Sequence, residues 1–141
     1  MAETYSEARD AINALVTTAW SAVAPSSPLL YDNLDSERPA TPTFFGRVTV
    51  RFFDGRQASL GSVAGGRVFR REGLVYVQVF TPHGKGLTQA NVVSEALVRA
   101  IENPGATGNI WFRDAHASEI GSDGAYYQIN VVARFQYDRI A

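Results

Sequence analysis

Apolar residues recur at helical spacing in two segments of the chain. The first segment follows Thr4 and Glu7, which have the three-residue spacing of a capping box at a helix start. Its apolar stripe consists of Ala8, Ile12, Leu15, Val16, Ala19, Trp20 and Val23. The second begins near Thr88, ends before Asn103-Pro104-Gly105, and has a stripe of Ala90, Val93, Ala96, Leu97, Ala100 and Ile101. Steps of three and four residues place each stripe on one face, so the pattern predicts two amphipathic helices.

Alternation of apolar and polar residues predicts five strands, over residues 44–53, 73–81, 109–113, 115–121 and 125–137. We expect the valines of the second strand to face the core. The last strand should also present one side to the core, formed by Tyr127, Ile129, Val131, Ala133, Phe135 and Tyr137. The order α-β-β-α-β-β-β with hairpin links favours one α+β domain over residues 1–141. It predicts a mixed, mostly antiparallel β-sheet with two α-helices packed on one face.

Two segments look like connections. Residues 24–43 hold four of the six prolines, which predicts an extended, Pro-rich connection that Leu29, Leu30 and Tyr31 pin to the body. Residues 55–72 are rich in glycine and arginine, which predicts a mobile loop or a weakly paired hairpin arm.

Composition narrows the function classes. The chain has 141 residues, of which 45% are hydrophobic, so it is not a disordered protein. Thirteen Lys and Arg balance fourteen Asp and Glu, which argues against binding specific nucleic acid through a broad basic face. Without cysteine there is no disulfide, thiol nucleophile or thiolate zinc site. With no leader or membrane-length apolar stretch, we expect a protein of the cytoplasm without contact to a membrane.

No motif predicts catalysis, a cofactor or a metal. His83 and His116 each stand alone, without a second His at ligand spacing, although His116 lies near Asp114 and Glu119. The glycine-rich run 61–66 lacks the spacing of a phosphate loop. We therefore expect a protein that is not an enzyme. A small ligand-binding or enzymatic domain with His83 or His116 as its base is the alternative.

Adjacent aromatic pairs indicate a second contact surface. Phe44/Phe45, Phe52/Phe53 and Tyr126/Tyr127 lie in predicted strands, where neighbouring side chains point to opposite faces. One member of each pair must leave the face that the helices cover. A further layer or a partner subunit should therefore contact the second face.

Nearly the whole chain resembles the tail terminator, or tail-completion, proteins of long-tailed bacteriophages. The features that carry the resemblance come in the family's order: the amphipathic first helix, the Pro-rich connection with Tyr31-Asp32-Asn33, the strand over 44–53, residues 56–61, residues 67–80 and residues 82–86 before a helix. The run 123–128 before a long strand is similar too.

The resemblance implies a structural virion protein without a cofactor. Such proteins form rings, usually of six subunits, that cap the tail tube, stop its polymerisation and meet the head–tail connector protein. The implied partners are the tail tube protein, the connector and further copies of the chain. The implied location is the tail of the virion, assembled in the cytoplasm of a host bacterium. A head–tail connector or neck protein is a related alternative.

Interface candidates follow from charge and loop position. They are Arg56, Arg67, Phe69, Arg70, Arg71, His83 and Lys85, with Asp32, Asp35 and Glu37 as an acidic complement. A closed ring needs two different patches per subunit. The hypothesis is that the patch around 67–71 meets the acidic residues of a neighbouring copy. A nucleic-acid site at Arg67, Arg70 and Arg71 is a third alternative and predicts affinity that falls steeply with salt.

Overall fold

The computed structural model describes residues 4–32, 39, 41–59, 66–104 and 108–140. In chain order the elements are helix α1 (Tyr5–Val23), strands β1 (Leu29–Tyr31), β2 (Phe45–Gln57) and β3 (Val68–Pro82), helix α2 (Thr88–Glu102), and strands β4 (Ile110–Asp123) and β5 (Tyr126–Ile140). The predicted α+β fold with a mixed, mostly antiparallel sheet is confirmed.

The five strands form one sheet in the order β1-β2-β3-β5-β4. Strand β1 pairs with β2 in parallel, and all other neighbours are antiparallel. The last strand in sequence thus lies between β3 and β4. Its full length pairs with β3, from Val68 opposite Ile140 to Pro82 opposite Tyr126.

Both helices pack on one face of this sheet. The capping box at α1 is present, because the Thr4 hydroxyl accepts from the Glu7 N–H at 3.1 Å and the Glu7 carboxylate accepts from the Thr4 N–H at 3.2 Å. The core between the layers takes Ile12, Val16 and Trp20 from α1. From α2 it takes Ala90, Val93, Leu97 and Ile101, and from the strands it takes chiefly the predicted valines and alternate residues of β5. The predicted helix stripes and strand faces are confirmed, except that Val23 of α1 is exposed, and Leu15 of α1 and Ala96 and Ala100 of α2 lie outside the core.

The structure corrects three boundaries. Leu29–Tyr31, predicted as part of a connection, forms an edge strand because its backbone continues the sheet beside β2. Residues 109–113 and 115–121 belong to one strand, β4, which bulges between Arg113 and His116 where Asp114 has a φ of 58°. The predicted loop over 55–72 is shorter, since β2 and β3 remain paired as far as Gln57 and Phe69. Residues 60–65 lie outside the described part.

The second sheet face carries no helix, and we call it the open face. At its β1 end, Leu30, Phe45, Phe80 and Tyr126 form a small buried cluster of their own. The Phe45 and Phe80 rings stack at 4.6 Å between centroids, and the edge of Tyr126 meets both. The chain thus covers part of its second face itself, and the aromatic pairs at this end serve folding.

Candidate assembly interface

A row of arginines crosses the open face. The strand register places Arg51 on β2 beside Leu74 on β3, Leu74 beside Arg134 on β5, and Arg134 beside Arg113 on β4. Because paired residues share a face, all four side chains start from the open face. Three of the four positions are arginine, and we call Arg51, Arg134 and Arg113 the arginine row.

The folded chain holds like charges directly opposite each other on this face. Arg113 pairs with Arg134, and closer to the β2–β3 turn Arg56 pairs with Arg70. Like charges in directly opposed strand positions destabilise a sheet, by roughly 0.2–1 kcal/mol for each pair. Packing does not require arginine here, because all four side chains lie outside the core. Burial in the core therefore does not explain these arginines.

Carboxylates offset only part of this charge. Glu72 lies between Arg56 and Arg113, with oxygen–nitrogen distances of 3.9 and 3.7 Å. Asp138 accepts two hydrogen bonds from Arg70, at 2.8 and 3.0 Å, and this contact raises the pKa of Arg70 above its usual value. Within the described ranges, Arg51 and Arg134 have no carboxylate within 4 Å. These two arginines remain available for anionic groups of a partner.

A shallow polar concavity of about 550 Å³ lies beside the arginine row. Its walls are Asp32, Arg47, Thr49, Arg51, Tyr76, Gln78 and Asn130. The Thr49 hydroxyl donates to Asp32 at 2.9 Å, which occupies one of the carboxylate oxygens. The Nε of Arg47 is buried and has no hydrogen-bond partner among the residues that the structure describes. A buried donor without a partner is costly, so this site favours a ligand or partner that supplies an acceptor.

Exposed apolar side chains accompany the arginines. Phe53 and Trp111 are 54% and 53% exposed, and both lie at the end of the open face that is remote from the small aromatic cluster. The Arg134 guanidinium lies over the Phe53 ring at 6.0 Å from its centroid. Arginine, tryptophan and phenylalanine are enriched where proteins bind each other. The combination is typical of a protein–protein interface.

Five of the sequence candidates gather where β2, β3 and β5 extend beyond the helices. Arg56, Arg67 and Arg70 lie at this end of the hairpin, with Phe69 and Arg71 on the side of the helices. Arg139 stacks over Phe69 at 5.9 Å, and Arg71 lies over the Tyr5 ring at 5.8 Å. The candidates thus lie near the arginine row and surround the end of the sheet.

The other candidates are dispersed. His83 and Lys85 are exposed in the turn after β3, at the opposite end of this 15-residue strand, roughly 45 Å from Arg67. Asp32 lies at the end of β1 and is bonded to Thr49. Asp35 and Glu37 lie outside the described residues. The hypothesis that Asp32, Asp35 and Glu37 meet residues 67–71 of another copy remains a prediction.

Both histidines are exposed. His116 is exposed on the edge strand, with its Nδ1 2.7 Å from the carbonyl oxygen of Asp114, and His83 is exposed in its turn. The described part of the chain contains no group of three His, Asp or Glu side chains that could hold a metal ion. It also has no helix long and apolar enough to span a bilayer.

Sequence reasoning missed the main elements of this surface, namely Arg51, Arg113, Arg134 and Trp111. Arg47, Arg51 and Phe53 did alternate onto the polar side of a predicted strand, and this was the available signal. Nothing local indicated that β5 would insert between β3 and β4. Without that neighbour relation, Arg134 and Arg113 could not be placed beside Arg51.

No protein-family model and no curated protein matches the chain. Among solved structures it is similar, at 18% identity and a TM-score of 0.67, to a chain that carries no functional name, over 96% of each chain. It is also similar to a chain from the virion of a native gene transfer agent particle. That match has 17% identity and a TM-score of 0.53, and it covers 96% of this chain and 99% of the other. At these identities the likeness shows the fold.

Proposed function

We propose that this chain is a structural protein of a phage-type virion, and specifically a tail terminator. Copies of the chain form a ring, on the family pattern a hexamer, that caps the tail tube, stops its polymerisation and joins the tail to the head–tail connector. No catalysis or cofactor takes part in this role. The proposal extends to its partners, which are the tube protein, the connector and other copies of the chain.

The observation that carries the proposal is the structural likeness to a chain of a gene transfer agent virion, which extends over essentially the full length of both chains. The open face supports it independently. Exposed Phe53 and Trp111, with arginines that lack a carboxylate partner among the described residues, are the composition of a contact surface. A virion subunit needs several such surfaces, because it touches neighbours in its own ring and components on both sides of that ring.

The proposed mechanism is geometric. A terminator binds the last ring of the tube with one face and presents a different face outward. Since the outward face does not repeat the contacts of the tube protein, no further tube subunit can add. The two ends of the sheet, one at residues 55–57 and 66–71 and the other at 83–87, lie roughly 45 Å apart along β3. This separation lets one subunit contact components on opposite sides of a ring.

Gene deletion with electron microscopy of the particles tests the proposal. In the particle-producing strain, loss of a terminator removes the limit on tube growth, so we expect tails longer than normal and heads without tails. Expression of the intact chain from a plasmid should restore normal tails. A His116→Ala variant should restore them equally well, because His116 is not among the residues proposed to contact another component.

Two other outcomes would contradict the terminator role. Tails of normal length that fail to join heads would indicate the head–tail connector or neck protein instead. If particles made without the chain were normal and still infected cells or transferred genes, the chain would not be a virion component. Failure of the His116→Ala variant alone would favour the ligand-binding or enzymatic alternative.

A further inference from the structure

The unbalanced charges of the two sides of the molecule point to a specific partner. On the open face, the described residues include six arginines, namely Arg47, Arg51, Arg56, Arg70, Arg113 and Arg134. Four carboxylates accompany them, those of Asp32, Asp54, Glu72 and Asp138. The two helices have the opposite balance, with Glu7, Asp10, Glu95 and Glu102 against Arg9 and Arg99. The described open face is therefore net positive and the two helices are net negative, although the net charge of the chain is only −1.

The outer face of α2 offers matching chemistry. Val92 is 57% exposed there, within a shallow concavity of about 520 Å³ that Asn91, Glu95, Ala96 and Arg99 also line. Glu95 and Arg99 form an exposed ion pair at 2.9 Å, which is weak in water and can exchange partners at little cost. An apolar position beside carboxylates complements an exposed aromatic beside arginines.

We infer that the open face of one copy docks onto the outer face of α2 in a second copy. Trp111 and Phe53 lie against Val92, and the arginine row faces Glu95 and Glu102. The two surfaces belong to opposite sides of a two-layer molecule, so the contact is head-to-tail. When the same contact is repeated and the rotations between neighbouring copies add up to a full turn, the copies form a closed ring. The inference rests on the proposed function and identifies the ring interface within it.

The proposed contact also explains why the folded chain keeps a destabilising pair of like charges. Arg113 opposite Arg134 is unfavourable in the free subunit, because the two charges repel across one strand pair. Carboxylates of α2 from a neighbour would relieve that repulsion on association. Electrostatic complementarity of this kind selects the correct face and register of a contact.

A mixing experiment with two variants tests the inference. The sheet variant, Arg51→Glu/Arg134→Glu, reverses the open face and leaves α2 intact. The helix variant, Glu95→Arg/Glu102→Arg, reverses α2 and leaves the open face intact. Native mass spectrometry and light scattering over a concentration series should show oligomers for the wild-type chain. Each variant alone should dissociate with a constant at least about tenfold larger.

The decisive result comes from an equimolar mixture of the two variants. The intact α2 of the sheet variant can still bind the intact open face of the helix variant. The reversed charges of the two variants also complement each other, so the mixture should regain oligomers in which the two variants alternate. Asp10→Arg, which reverses a charge on α1 instead, is the matched control and should assemble as the wild type does. Formation of the mixed oligomers also proves that both variants are folded.

Three results would overturn the inference. They are a mixture that stays monomeric, a sheet variant that assembles normally, and a wild-type chain that remains monomeric at the highest concentration reached. Wild-type binding to double-stranded DNA that weakens steeply with salt and disappears in the sheet variant would also overturn it and assign the arginine row to phosphate. If the deletion phenotype of a terminator is found while the mixture stays monomeric, the proposed function stands and only this interface fails.

Discussion

The two faces of the sheet are built by the same strands and serve different purposes. On the covered face, Val75, Val77 and Val79 of β3 are fully buried against the helices. Between them on the same strand, Leu74, Tyr76 and Gln78 of the open face remain partly exposed. On the covered face the buried positions of β2, β3 and β5 are apolar or glycine apart from Thr81, whereas the open face has a cross-strand row with three arginines. The difference shows that packing constrains the covered face, and on the proposed interface a neighbouring copy constrains the open face.

The largest effect on stability is expected when a phenylalanine ring is removed from the covered face. Removal of a phenylalanine ring from the open face is the comparison. Phe135→Ala should lower the free energy of unfolding by about 3–5 kcal/mol, because the ring is 2% exposed and contacts Phe52 at 5.5 Å and Phe112 at 6.5 Å between centroids. Phe53→Ala should change it by no more than about 0.5 kcal/mol, since that ring lies on the surface. Urea unfolding followed by tryptophan fluorescence measures both.

The same two variants should reverse their order in an assembly measurement. Phe53→Ala should weaken the association of copies while the subunit stays folded. Equal destabilisation by both substitutions would contradict the distinction between the faces, because it would mean that Phe53 contributes to the core.

A smaller effect is expected at a glycine of the covered face. A Cβ at Gly73 would lie 2.5 Å from Cζ of Phe135 and closer still to the carbonyl oxygen of Arg51, which is backbone and cannot move aside. Gly73→Ala should therefore cost about 1–3 kcal/mol of unfolding free energy.

Gly55→Ala is the matched control for that substitution. Gly55 lies on the same side of the sheet but beyond the helices, and its nearest neighbour, at 3.2 Å, is the flexible side chain of Arg71. We expect a change within about 0.5 kcal/mol by thermal unfolding. A Gly55→Ala variant as unstable as Gly73→Ala would show that the hairpin beyond the helices is packed as tightly as the core.

The smallest effect concerns pH. Burial raises the pKa of the Tyr137 hydroxyl, and the nearby Tyr5 acts in the same direction. The folded state therefore holds this proton more tightly than the unfolded state, whose tyrosines ionise near pH 10. The resulting contribution to stability is complete below pH 10 and is lost as the pH rises through the folded-state pKa.

The stability advantage of the wild type over Tyr137→Phe should consequently shrink between pH 9 and strongly alkaline pH. Urea unfolding of both proteins at a series of pH values measures this difference. A difference that stays constant or grows with pH would show that the hydroxyl is not in a water-poor environment. It would therefore place Tyr137 outside the covered face.

The sequence by itself determined the helices and the inward side of β2, β3 and β5. Both follow from local periodicity: a stripe at steps of three and four residues forms a helix face, and alternation separates the two sides of a strand. The capping box at Thr4 and Glu7 and the core side of β3 and β5 were predictable for this reason. So was the α+β class, because hairpin links favour antiparallel neighbours.

Only the tertiary structure decided which strands are neighbours and in what register. The insertion of β5 between β3 and β4, and the addition of Leu29–Tyr31 as a parallel edge, depend on packing of the complete sheet. A period of two tells which way a side chain points, yet it does not tell what lies beside it on the next strand. The arginine row is a product of that arrangement, so it was visible only after folding had brought distant segments together.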